Sequence, residues 1–193
     1  HTFYHMKQSL FFKVLLLVFV MSLWACQHPN AQDDIPLKIP NDRPYTIETV
    51  VSDLQNPWGM DWLPDQSLLI TEKDGRLIHF KGERKIEIKN TPEIFNWGQG
   101  GLLDIAVHPN YAENGWIYFT LSTSGENAEM GNTALVRAKL LDDALVSTET
   151  LYKASPDYLE GQHFGSRIAF DQKGHVFFSV GDRFHRDELP QDL

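Results

Sequence analysis

Gly161-Gln162-His163-Phe164-Gly165-Ser166-Arg167-Ile168-Ala169-Phe170-Asp171-Gln172-Lys173-Gly174-His175-Val176-Phe177-Phe178-Ser179-Val180-Gly181-Asp182 reads as a strand, a turn at Lys173-Gly174 and a second strand. A hairpin brings its outer ends together, so His163 and Asp182 are predicted to be neighbours in space. A carboxylate beside an imidazole fixes the tautomer and orientation that a general base needs. On these residues alone the alternative stays open: a histidine in a surface loop followed by an aspartate in a turn.

Working outward, short apolar runs alternate with the turn signals Pro64-Asp65, Asp74-Gly75, Lys81-Gly82 and Asn114-Gly115. Ser67–Thr71, Leu77–Phe80, Trp116–Leu121, Ala134–Leu140 and His175–Val180 are predicted strands, and no window beyond the N-terminal apolar run sustains a helical period. Met60–Asp65, Ile105–Asn110 and Ile168–Lys173 each open a strand-turn-strand unit, with Trp62, Val107 and Phe170 in equivalent places. Their spacings, 45 and 63 residues, predict an all-β protein built of propeller blades rather than a β-sandwich.

Further stretches join the histidine segment. Leu54-Gln55-Asn56-Pro57-Trp58-Gly59-Met60-Asp61-Trp62-Leu63-Pro64-Asp65 leads into Leu68–Leu77. Gly98-Gln99-Gly100-Gly101-Leu102-Leu103-Asp104-Ile105-Ala106-Val107-His108-Pro109 leads into Gly115–Phe119. In this order and spacing they resemble the soluble quinoprotein sugar dehydrogenases, the glucose/sorbosone dehydrogenase family that uses pyrroloquinoline quinone (PQQ), and within it the bacterial aldose sugar dehydrogenases. The resemblance runs from about Tyr45 to about Arg183. It implies a six-bladed β-propeller of which residues 44–193 make the N-terminal half, with room for about three blades.

The resemblance also implies a chemistry. The C1 hydroxyl of an aldose is oxidised to a lactone with PQQ as hydride acceptor. His163 is the base and Asp182 holds it. Gln99 hydrogen-bonds sugar or cofactor, and Gln162, where the family's glucose-oxidising member carries an acid, contacts the sugar. The groups that grip the quinone, and the ligands of the family's calcium ion, are expected beyond Leu193, so residues 27–193 alone are expected to be inactive. Arg167 is expected to fix its loop through carbonyl groups. Asp61, Asp104 and Asp171 are expected to serve turns. His79 and His175 fall in predicted strands without metal-ligand spacing, and His108 at a turn or core edge. A non-catalytic propeller that binds a ligand or protein, and a calcium-dependent sugar lactonase, are the competing functions. The sugar and the electron acceptor stay open.

The chain has 193 residues and a formal net charge of −9. An acidic chain without a basic patch argues against nucleic-acid binding. Its partners are expected to be small sugars. Residues 1–25 read as a signal peptide starting at Met6: Lys7 and Lys13 are followed by an apolar run too short for a comfortable membrane span. Leu23-Trp24-Ala25-Cys26 resembles a bacterial lipoprotein box, which makes Cys26, the sole cysteine, a lipidation site. Residues 26–43, with three prolines, read as the tether. The expected location is the periplasm or outer membrane of a Gram-negative bacterium, with that lipid as the only membrane contact.

Overall fold

The computed structural model describes residues 45–125, 127–171 and 173–185. The N-terminal predictions, Cys26 among them, lie outside these residues. The chain divides into two units, 1–48 and 49–193. The described part of the first, residues 45–48, carries no regular structure.

The second unit is a succession of antiparallel sheets. β1 (Pro57–Trp62), β2 (Leu68–Glu72), β3 (Leu77–Lys81) and β4 (Arg84–Glu87) pair in chain order. β5 (Leu102–Val107), β6 (Trp116–Ser124), β7 (Gly131–Leu141) and β8 (Ala144–Lys153) form a second sheet with the same order. β9 (Gly165–Phe170) and β10 (Val176–Val180) make a two-stranded third. The first strands lie side by side, β1 against β5 and β5 against β9. This is the blade arrangement of a β-propeller, with two four-stranded blades and the first hairpin of a third among the described residues. Trp62, Val107 and Phe170 end β1, β5 and β9, so the repeat read from sequence is a structural one.

The blades are stapled through hairpins whose chemistry is local. Gly82 and Glu83, both at positive φ, close a two-residue turn between Lys81 and Arg84; Asp142 and Asp143 do the same between Leu141 and Ala144. Positive φ at both central positions matches the twist of the flanking strands. A single helical turn, α1 (Tyr111–Asn114), fills the connection between β5 and β6.

Burial follows from stacking one blade on the next. All five residues of β2 are buried, because a central strand has a neighbouring sheet or loop on each face. Leu69, Leu77, Leu102, Ile105, Phe119 and Val136 form the core between the first and second blades. Ala106, Tyr118, Leu135 and Ile168 form a smaller one between the second and third. Removing apolar surface from water supplies most of the drive for this packing.

Polar side chains repeat the same joint. The N–H of Gly59 donates to Thr71 Oγ1 at 2.9 Å, and Thr71 Oγ1 in turn donates to the carbonyl of Leu103 on the next blade at 2.5 Å. One blade on, the Asp104 N–H donates to Thr120 Oγ1 at 3.0 Å, which donates to the Ser166 carbonyl at 2.8 Å. Asp61 and Asp104 belong to this joint, which corrects their assignment to turns. Asp61 Oδ2 accepts the N–H of Val107 at 2.7 Å, and Asp104 Oδ2 that of Ile168, also at 2.7 Å. Arg167 is corrected with them: its Nη1 donates to Asp104 Oδ1 at 2.9 Å rather than to a carbonyl. Asp171 does serve a turn, since its Oδ1 accepts the N–H groups of Lys173 and His175. His175 sits in that turn, just ahead of β10, while His79 lies within β3. His108 stands at a core edge, stacked on Tyr118 with Phe170 edge-on.

Candidate active site at the start of the third blade

β9 and β10 pair from Gly165↔Val180 to Phe170↔Val176, which leaves residues 161–164 and 181–185 side by side at one end of the hairpin. The two loops meet at close range. A Cβ on Gly181 would lie 2.0 Å from the carbonyl oxygen of His163, so only glycine fits there. His163 itself has φ 52°, and Arg183 φ 50°, left-handed values that non-glycine residues hold only where their surroundings dictate it.

This geometry brings His163 and Asp182 together: Nδ1 stands 2.6 Å from Asp182 Oδ1. An ionised carboxylate only accepts, so the Nδ1 atom of a neutral imidazole carries the proton and Nε2 carries the lone pair. The histidine side chain is 42% exposed and the aspartate 20%, so the pair stands in a partly open mouth. Phe184 packs edge-on to the ring at 5.5 Å. Asp182 Oδ1 also accepts the N–H of Phe184 at 3.0 Å, which holds the carboxylate from its own loop.

Gln99 comes from the second blade. Its N–H donates to the Gly161 carbonyl at 2.6 Å, and its Oε1 accepts the N–H of His163 at 2.9 Å. The side-chain oxygen therefore faces the loop, which leaves the amide NH₂ as the group Gln99 offers a ligand. Gly98 makes this contact possible: with φ 57°, any Cβ there would fall 2.2 Å from the Gly161 carbonyl oxygen. Gln162 is exposed, and its backbone carbonyl is held by Arg183. Among the described residues no group of three or more His, Cys, Asp or Glu is placed to hold a metal ion.

Sequence reasoning missed two residues that pack on the loop carrying His163. Arg183 is buried beneath it. Trp97 packs over Gly161 and lines a groove of about 550 Å³ with Phe95, Asn96, Ala128, Glu129 and Leu159. Five tryptophans were visible in the composition, but only the approach of residues 97–99 to Gly161 gives this one its place.

The glucose/sorbosone dehydrogenase profile matches residues 54–193, the whole of both blades and the hairpin. The chain belongs to that family. It is 31% identical over 193 residues to the aldose sugar dehydrogenase of Escherichia coli, an alignment covering 97% of this chain and 47% of the relative. The crystal structure of the soluble E. coli aldose sugar dehydrogenase in its apo-form superposes with a TM-score of 0.68 at 32% identity, over 72% of this chain and 41% of that one. The PQQ-bound form of aldose sugar dehydrogenase from Streptomyces coelicolor superposes at 0.63 and 26% identity, over 72% and 42%. The chain thus spans about half the length of the glucose/sorbosone dehydrogenases it matches.

Proposed function

We propose that this chain supplies the base and its orienting acid to a PQQ-dependent aldose dehydrogenase that converts the C1 hydroxyl of a sugar to a lactone. The observation that carries the reading is the 2.6 Å contact between His163 Nδ1 and Asp182 Oδ1. It points the Nε2 lone pair away from the acid, in a ring that solvent and substrate can reach. The family relationship, with a PQQ-bound relative among its structures, supports the cofactor.

An accessible imidazole and an amide donor at Gln99, held on loops bonded to one another, suit a carbinol held against a planar quinone. Bound PQQ would supply the electron-pair acceptor for the hydride that leaves C1. His163 Nε2 takes the hydroxyl proton as the C1–H bond breaks, so the imidazole becomes cationic while the sugar carbon gains its carbonyl. Asp182 steadies that cation and keeps the ring from turning. The Gln99 amide orients a ligand oxygen, and Gln162, exposed beside the base, is placed to meet a sugar hydroxyl. A calcium ion belongs to this reading through the family resemblance alone, with its ligands outside residues 1–193.

The test is glucose oxidation by the full-length protein, loaded with PQQ and calcium and coupled to an artificial acceptor dye. His163→Gln should lower the rate on the order of 10²–10⁴-fold, the usual cost of a lost general base, while PQQ binding followed by absorbance persists. An unchanged rate would overturn the assignment. Unmutated protein that binds PQQ and oxidises no sugar would favour the non-catalytic binding module.

The proposed location is an exported lipoprotein anchored at Cys26, a reading that rests on the sequence of residues 6–26. Membrane partitioning that survives Cys26→Ser intact would defeat it.

A further inference from the structure

Arg183, directly after the acid of the pair, is the largest fully buried side chain among the described residues at 1% exposure. A guanidinium cannot shed its charge and has five N–H donors to satisfy, so burying one is costly unless acceptors surround it. Burial alone pushes this group down from its ordinary value, and the carboxylates of Glu160 and Asp157 oppose that shift. Its hydrogen-bond acceptors are mostly main chain. Nε donates to the Gln162 carbonyl at 2.9 Å, Nη1 to the Gly131 carbonyl at 3.0 Å and to Asn132 Oδ1 at 3.4 Å, and Nη2 to the Glu160 carbonyl. The guanidinium carbon lies 3.6 Å from the centroid of the Phe164 ring.

The pattern of these contacts is specific. Gln162 and Phe164 flank His163 on either side, and Gly131 and Asn132 open β7 of the second blade. One planar group therefore joins the loop that carries the base to the neighbouring blade, and it does so from the residue beside Asp182. His163, between Gln162 and Phe164, stands at φ 52°. We propose that Arg183 is the positioning residue of the His163–Asp182 pair, holding the Gln162 carbonyl on one side of His163 and the Phe164 ring on the other so that the imidazole meets Asp182 through Nδ1 and turns Nε2 outward. Its bearing on catalysis rests on the reading of His163 as base; the geometric claim does not.

Lysine keeps the charge but lacks the planar fork that serves three carbonyls at once, and it loses the face that lies on Phe164. The tautomer of each histidine ring can be read from its imidazole ¹⁵N resonances in the full-length protein, with His163 assigned by its absence in His163→Gln. The unmutated protein should show His163 as the Nδ1–H form. In Arg183→Lys the two nitrogens should move toward a common averaged position. His175 is the internal control: its Nδ1 faces Asp171 Oδ2 at 2.8 Å at the far end of the same hairpin, and it should keep its signature. A folded Arg183→Lys protein with the wild-type His163 signature would overturn the proposal. So would loss of both histidine signatures together, which would mark a general loosening. If Arg183→Lys does not fold, Asn132→Ala removes one acceptor and leaves the arginine: a partial shift of His163 supports the proposal, and an unchanged signature overturns it. Failure of the base reading looks different, as unaltered sugar oxidation in full-length His163→Gln with the tautomer result intact.

Discussion

Asp104 and Ile168 are joined across a blade boundary: the buried carboxylate accepts the main-chain N–H of Ile168 at 2.7 Å and, through its other oxygen, Arg167 Nη1 at 2.9 Å. With the side chain 1% exposed, removing the acceptor strands a buried N–H between two sheets. Hydrogen bonds to a charged group contribute about 1.5–3 kcal/mol net. Asp104→Ala is therefore expected to destabilise the fold by about 2 kcal/mol, which lowers Tm by roughly 4–8 °C for a domain of this size. Thermal melts and amide exchange at Ile168 check it; a protected Ile168 amide and an unmoved Tm would show that the blades are joined by packing alone.

Asp182→Asn tests the orienting role proposed for Asp182 beside His163. An amide oxygen can still accept from Nδ1, but the negative charge that steadies the developing imidazolium is gone, and an amide flip presents a donor instead. We expect the rate of sugar oxidation by the full-length protein to fall on the order of 10²-fold, with KM for the sugar little changed. A loss confined to KM would place Asp182 among the sugar-binding groups.

Gln99→Ala removes the acceptor for the His163 N–H across a sequence separation of 64 residues. One neutral hydrogen bond contributes about 1 kcal/mol, so the rate should fall several-fold rather than by orders of magnitude. Faster exchange of the His163 amide should accompany the loss. A rate deficit with normal amide protection would move Gln99's contribution entirely onto the ligand.

His79 sets an acid-side limit on stability. Burial pushes its imidazole below the ordinary 6.5, and its Nε2 lies 2.7 Å from Ser67 Oγ. Above that value neither folded nor unfolded chain protonates the group. As the pH drops below about 6.5 the unfolded chain binds the proton first, so stability falls until the depressed folded value is reached. Nearby Asp65 is held well below the usual carboxylate range, chiefly by its hydrogen bonds with Lys81 and Ser67, so its contribution is lost only at pH below about 4. Between pH 7 and 5 the Tm of the unmutated protein should drift down, and His79→Gln should flatten that slope. An identical slope in the two proteins would assign the drift to other groups.

The parts of this molecule that depend on near neighbours were legible in the sequence. A hairpin over residues 165–180 follows from two β-rich runs about a Lys-Gly turn, and it suffices to bring His163 to Asp182. The blade repeat was legible through Trp62, Val107 and Phe170. β4 and β8 were not, because exposed outer strands carry a mixed pattern, with six of the ten residues of β8 in a row exposed. Asp61 and Asp104 read as turn residues because a lone carboxylate among apolar residues has no partner within its own stretch of sequence; their true acceptor role is fixed by strands 46 and 64 residues away. Arg183 was invisible for the same reason, since all but one of the acceptors it bonds are main-chain carbonyls that any residue type could have supplied.

His163 and Asp182 are separated by 19 residues, whereas Gln99, which accepts the His163 N–H, is 64 residues from it. Closing the longer loop costs about 1 kcal/mol more in chain entropy than closing the shorter. The His163–Asp182 contact therefore needs only its own hairpin, but the contact with Gln99 forms only once the second blade is in place beneath it. The site doubles as an assembly gauge: an imidazole that has found its carboxylate reports a folded hairpin, and one whose amide has also found Gln99 reports two blades docked in register.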